Sequence, residues 1–277
     1  MKDNYMKVSD IVNTVEKIAP KALQEVWDNS GLLIGFESKV VKNILTCLEI
    51  NKSVLSEVKA KHCEMIITHH PLIFSGVKNI CDCDNTGSII MNLIENGISV
   101  YSSHTPFDKV KGGNNDFLAK CIGLSSVKNL NGDDVGNAEK MTERPTEADL
   151  GRIGKLKKGM SLRDMMLNVC DSLGLRQSQI RVSGCLDDEI KNVGVCCGSG
   201  AEFFKAAKKM GCDLFITGDV KYHQAQEAAA DGLCIIDAGH YGTEKSFAVN
   251  MKEKLDKELD GSVKVIESET DLDPFIK

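Results

Sequence analysis

The segment Lys61-His-Cys63-Glu64-Met-Ile-Ile67-Thr68 returns later in the chain as Met210-Gly-Cys212-Asp213-Leu-Phe-Ile216-Thr217. Each copy reads as a helix end, a short apolar strand and a threonine at the strand's carboxyl edge. A second pair of segments follows in the same order. Asn96-Gly97-Ile98 leads to His104 and Asp108, and Asp231-Gly232-Leu233 leads to His240 and Glu244, so each copy ends its second strand with His-x-x-x-acid. A chain that repeats such a unit is constrained to two related α/β halves. The expected halves are residues 1–125 and 126–277. The boundary is placed in the 125–150 region, where Asn, Gly, Asp, Glu, Thr and Pro cluster.

The rest of the pattern agrees with α/β layers. Ile11, Val12, Val15, Ile18 and Ala19 lie at helical spacing behind Ser9, which predicts an opening amphipathic helix capped by Ser9. Buried strands are expected at 44–50, 65–68, 99–102, 193–197, 214–217 and 234–237, and helices at 52–61, 86–96, 114–122, 161–173, 200–210 and 245–258. The chain is 277 residues long with 42% hydrophobic residues, enough for a substantial core. Its formal charge of -6 gives no general electrostatic reason to bind nucleic acid. Residues 1–20 lack the apolar stretch of a signal peptide and no apolar run is long enough to span a bilayer, so the expectation is a cytoplasmic protein without a membrane partner.

Ligands of an α/β sheet bind beyond the carboxyl ends of its strands. Four loops expected there hold five of the six histidines: Thr68-His69-His70-Pro71, Ser103-His104-Thr-Pro-Phe-Asp108, Thr217-Gly-Asp219-Val-Lys-Tyr-His223 and Ala238-Gly-His240-Tyr-Gly-Thr-Glu244. One such histidine is ordinarily a satisfied polar residue, but five at repeated strand ends, with acids at repeated spacing, point to a shared metal site. Imidazole with carboxylate suits zinc, iron or manganese. Successive side chains diverge on a strand, so His69 and His70 are expected to reach two different ions, with Asp108 as the bridge. His240 and Glu244, four apart, would share one face of a helix.

Three weaker signals stay open. Val195-Cys-Cys-Gly198-Ser-Gly200-Ala201 is either an anion-binding turn at a helix start or a tight turn that needs glycine. Trp27-Asp28-Asn29-Ser30-Gly31 carries the lone tryptophan, which either closes the core or lines the site. Eleven cysteines are expected reduced and mostly in the core; Cys81-Asp-Cys83 and Cys196-Cys197 lack a second pair at zinc-ribbon spacing.

The motifs quoted above, together with Gly113-Asn-Asn115 and Gly151-Arg-Ile-Gly154, resemble the Nif-three-like family, whose bacterial members are often labelled GTP cyclohydrolase I type 2 homologues. The resemblance spans nearly the whole chain in order. It implies two similar α/β domains related by pseudo-twofold symmetry, a di-metal site in the cleft between them, and a toroidal homohexamer. Its metal ligands carry over onto His69, His70, Asp108, His240 and Glu244, holding two divalent ions (Zn, Fe or Mn). His104 matches a histidine of the motif that lies beside the metals, either behind the ligands or an occasional ligand itself, and Asp219 and His223 match further cleft residues; any of the three could serve as general acid or base. The activity implied is metal-dependent hydrolysis of a nucleotide or related small molecule; the rival is a non-catalytic ring that binds, delivers or senses metal. This chain has Glu49 where many members have Asp in the preceding strand, and it is too short for the domain that some relatives insert between the halves.

Overall fold

A computed structural model describes residues 5–135 and 150–275. Its packing forms two compact units, and the chain passes from the first to the second after Phe107, returns at Phe247, and leaves again after Leu272. The division therefore differs from a single cut at 125/126, which would fall within the strand Leu124–Asn129 of the second unit. Residues 136–149, where part of the expected boundary fell, lie outside the described residues.

The first unit opens with α1 (Val8–Ile18), whose Val8, Ile11 and Val15 are buried. Its N-cap is Lys7, not the expected Ser9, because the Asp10 carboxylate accepts from the Lys7 backbone N–H at 2.8 Å and starts the first turn earlier. There follow β1 (Gly31–Ile34), β2 (Asn43–Cys47), α2 (Lys52–Ala60), β3 (Met65–Thr68), α3 (Asn85–Glu95), β4 (Ser99–Ser102) and α4 (Thr105–Lys109), the last running across the passage between units. All four residues of β3 and of β4 are buried, the mark of strands covered on both faces. Asn51 caps α2 by accepting from the backbone N–H of Ser53 and Val54, each at 2.9 Å, and Asp84 caps α3 through Gly87 N–H at 2.7 Å.

The second unit contains α5 (Asn114–Cys121), β5 (Leu124–Asn129), β6 (Arg152–Ser161), α6 (Leu162–Leu173), β7 (Arg181–Ser183), β8 (Glu189–Val195), α7 (Phe204–Lys209), β9 (Leu214–Thr217), α8 (Tyr222–Ala230), β10 (Cys234–Asp237) and α9 (His240–Glu244). Leu214 and Ile216 join Val193, Val195, Met165 and Val169 in one core, whereas Phe215 turns to a second core with Phe204 and Leu233. That is the period-two alternation of a strand packed on both sides. The chain then returns to the first unit as α10 (Phe247–Leu259) and β11 (Lys264–Glu267).

The first sheet has the order β1-β4-β3-β2-β11, and the second β5-β6-β8-β9-β10-β7. In the first, β2, β3 and β4 are parallel neighbours with β1 antiparallel on β4; in the second, β8, β9 and β10 are parallel neighbours with β7 antiparallel on β10. The two strand pairs of the repeat, β3 with β4 and β9 with β10, therefore occupy equivalent places within their own sheets. The sheets differ beyond them: β11 is parallel to β2, while β6 is antiparallel to β8.

Glu57 secures the returning segment. Its carboxylate accepts from Lys61 Nζ at 2.7 Å, Ser268 Oγ at 2.6 Å, Thr270 Oγ1 at 2.7 Å and Glu269 N–H at 2.8 Å. Burial alone would raise its pKa, but these donors outweigh burial and draw it down to about 2. A depressed carboxylate stabilises the fold above its unfolded pKa, and the contribution vanishes as pH falls through the folded value. Between pH 4.5 and 2 the wild type should lose about 2–3 kcal/mol that Glu57→Gln does not lose over the same range. Urea midpoints measured from pH 2 to 6 check this, and parallel pH profiles would contradict it.

Candidate metal centre

In the first unit, β3 and β4 end side by side with Thr68 opposite Ser102, and the residues just beyond them carry the histidines. His69 is fully buried, with its ring 4.9 Å from that of Phe247 between centroids. Its Nδ1 lies 3.0 Å from the backbone carbonyl oxygen of Ser103. A carbonyl only accepts, so Nδ1 carries the proton and neutral His69 has its lone pair on Nε2. His70 Nδ1 lies 3.5 Å from Glu49 Oε2, so the acid that departs from the family pattern still lies beside a candidate ligand.

His104 is set by Asp28. Asp28 Oδ1 lies 2.9 Å from His104 Nδ1, while Oδ2 accepts from Ser30 Oγ at 2.9 Å and from Thr105 N–H at 3.2 Å. Burial works against the charge on Asp28, yet the hydrogen bond and positive charge of His104, with those of Thr105 and Ser30, hold its pKa at about 2. Asp28 is thus an ionised carboxylate orienting an imidazole, a role its place in the Trp27 motif did not suggest.

One nitrogen from each of His69, His70 and His104 lies within 4.8 Å of the others, close enough to converge on one ion. The rings of His69 and His70 lie 5.2 Å apart between centroids, and because β3 ends at Thr68 strand alternation does not set their directions. His104, expected from sequence beside the metals or as an occasional ligand, stands among these donors.

The second unit builds a different set. His240 and Glu244 occupy successive turns of α9, with His240 Nε2 3.0 Å from Glu244 Oε2. Asp219 Oδ2 lies 2.7 Å from His240 Nδ1 and so directs Nε2 toward Glu244. Asp219 has φ +54°, an uncommon backbone conformation for a residue other than glycine. Glu244 is buried, as is Asp108.

Asp108 is held by the two motifs whose purpose sequence reasoning had left blank. Asn114 Nδ2 donates to Asp108 Oδ1 at 2.9 Å, and Asn115 Nδ2 donates to the Asp108 carbonyl at 3.2 Å. Asn115 Oδ1 accepts from Cys197 N–H at 2.8 Å, tying this loop to the turn after β8. Arg152, fully buried, pairs with Asp116 and donates to the carbonyls of Lys109 and Val110. The negative charges of Asp108 and Glu244 add to burial in pushing the Cys197 thiol well up, so both carboxylates act on the same turn. Cys196 and Cys197 are buried in the core, as expected, and are kept as neutral thiols.

That turn settles the glycine-rich signal. Gly198 N–H donates to Thr243 Oγ1 at 2.9 Å and Gly200 N–H to Thr217 Oγ1 at 3.1 Å. These donors and Cys197 N–H already serve the protein's own acceptors, which favours the tight-turn reading over an anion cradle. Gly198 has φ +62°, and a Cβ there would fall 2.1 Å from Glu244 Oε1 and 3.2 Å from His240 Nε2. The glycine makes room for the candidate ligands.

The remaining sequence candidates are placed as follows. His223 is exposed near the start of α8, its ring 5.2 Å from that of Tyr222. Trp27 is 55% exposed and so does not close the core. Cys81, Cys83 and Asp84 bring one donor atom each within 4.8 Å of the others, a grouping separate from the histidines. Among the described residues no helix is long and apolar enough to cross a membrane.

Known proteins align along nearly the whole chain. A Clostridium perfringens protein named GTP cyclohydrolase 1 type 2 homolog is 37% identical over 270 residues, covering 98% of this chain and 99% of its own. The crystal structure of a Bacillus cereus protein related to NIF3 superposes with a TM-score of 0.87 at 26% identity, covering 98% of this chain and 99% of that one. The Staphylococcus aureus protein SA1388 gives a TM-score of 0.85 at 29% identity, covering 99% and 100%. The model of the Duf34/NIF3 (NGG1p interacting factor 3) family matches residues 6–274, and the chain belongs to that family.

Proposed function

We propose that this protein binds two divalent metal ions through His69, His70, Asp108, His240 and Glu244 and hydrolyses a nucleotide or related small molecule. The donors of the two units would serve one centre in the cleft between them, the units being related by pseudo-twofold symmetry. The observation that carries the reading is the grouping of His69, buried and oriented by its Nδ1 contact with the Ser103 carbonyl, with nitrogens of His70 and His104. The His240 and Glu244 pair, with the buried Asp108, supplies the carboxylates that a second ion needs. This mixture of imidazole and carboxylate suits zinc, iron or manganese.

When bound, such ions supply Lewis acidity and lower the pKa of water. The protein's own groups do the rest. Asp28 orients the His104 ring through Nδ1, so His104 serves as the acid or base at the reacting atom. Asp219 positions His240, and His223, exposed, is proposed to exchange protons with solvent. The name of the Clostridium perfringens relative, GTP cyclohydrolase 1 type 2 homolog, favours a nucleotide as the substrate class. A homohexamer in the cytoplasm completes the proposal.

Elemental analysis of purified protein should find about two ions per chain, lost in a His69→Ala, Glu244→Ala double variant together with turnover of nucleotides or phosphoesters. Protein that contains no metal, or the same amount in the variant, would refute the site. Bound metal without turnover would instead identify a metal-delivery or regulatory protein.

A further inference from the structure

Trp27 and Phe74 stand beside the histidine group with much of their surface open, at 55% and 49% exposure. Their ring centroids are 6.1 Å apart and tilted by 37°, and those of Trp27 and Phe74 lie 5.8 and 6.3 Å from that of His104. Two large aromatic rings left in water lose the stabilisation that burial would give them, unless a ligand covers them. The loops that carry them are also tied together. Asn29 Nδ2 donates to the Ile73 carbonyl at 2.5 Å, joining the two loops that carry the rings, and Asp28 anchors the Trp27 loop to His104 and Thr105. Phe74 also lines an open hollow of about 450 Å³ together with Lys78 and Thr86.

We infer that Trp27 and Phe74 form a ring-binding site for a planar heteroaromatic group of the substrate, holding that group against His104. The assignment rests on the proposed reaction only in taking His104 as the reacting side. Recognition by ring faces accepts more than one base, because each has a π surface, and leaves discrimination to groups at the ring edge. Tying the two loops together in advance reduces the entropy lost when a ligand binds.

Trp27 is the sole tryptophan of the chain, so its fluorescence reports on this position alone. Guanosine 5′-monophosphate and adenosine 5′-monophosphate should quench it saturably, while ribose 5-phosphate should not. Phe74→Leu, which keeps an apolar side chain and removes the ring, should weaken the apparent affinity by roughly five- to a hundredfold, and Phe74→Tyr should restore it. Metal content should be the same in both variants, which separates ring binding from damage to the histidine group. Loss of metal in His69→Ala, Glu244→Ala with quenching retained would leave this inference standing; metal binding without saturable quenching would overturn it and leave the metal site standing. An equal response to ribose 5-phosphate would also overturn it, as would a Trp27 spectrum that changes with protein concentration alone, which would assign the rings to an interface between copies.

Discussion

Gly198→Ala is expected to lower stability by about 2–5 kcal/mol and to reduce metal binding at His240 and Glu244. Two costs combine. The left-handed backbone at φ +62° disfavours any side chain, and the new methyl would be built 2.1 Å from a Glu244 carboxylate oxygen. Gly211→Ala separates them, because Gly211 has φ +78° with nothing within 4 Å of a Cβ. The difference in urea midpoint between the variants therefore measures the collision alone, and metal per chain should fall only for Gly198→Ala. Equal midpoints and equal metal would remove Gly198 from the site.

Arg152→Ala should cost about 3–5 kcal/mol, the penalty for breaking a buried ion pair from one side. The guanidinium is fully buried and serves Asp116 together with the carbonyls of Gly151, Lys109 and Val110. Removing it leaves those acceptors short of donors and loosens the loop that presents Asp108. Lysine should rescue little, since one ammonium cannot reproduce the planar fork. Unfolding midpoints for Arg152→Ala, Arg152→Lys and the wild type test the ranking; a lysine variant as stable as wild type would show that charge alone suffices.

The elements visible in sequence were those whose signal is local. Strands β3, β4, β9 and β10 are short apolar runs buried on both faces, and the four-residue spacing of His240 and Glu244 places them together on any helix. Strands such as β6 were missed because Lys155, Lys157 and Lys158 face outward beside a buried arginine, a pattern that does not resemble a buried apolar strand. The functions of Asn114, Asn115 and Arg152 were equally hidden. Their partners, Cys197 for Asn115 and the Lys109 carbonyl for Arg152, come from distant parts of the chain and become neighbours only on folding. The tautomer of His69 depends on Ser103 in the same way. The directions of His69 and His70 were not legible because both lie past the last residue of β3, where strand geometry no longer applies.

The return of the chain to the first unit through α10 and β11 bears on synthesis at the ribosome. Strand β2, whose Ile44, Leu45, Thr46 and Cys47 are all buried, receives its second neighbour only when residues 264–267 emerge. Until then the nascent first sheet presents an apolar parallel edge, the kind of surface that captures other chains. The second unit, continuous from Asp108 to Ser246, has nearly all its residues available earlier. The first part of the protein to be made is thus the last to be finished, and a stop before Lys264 should yield a chain that aggregates instead of a slightly shortened protein.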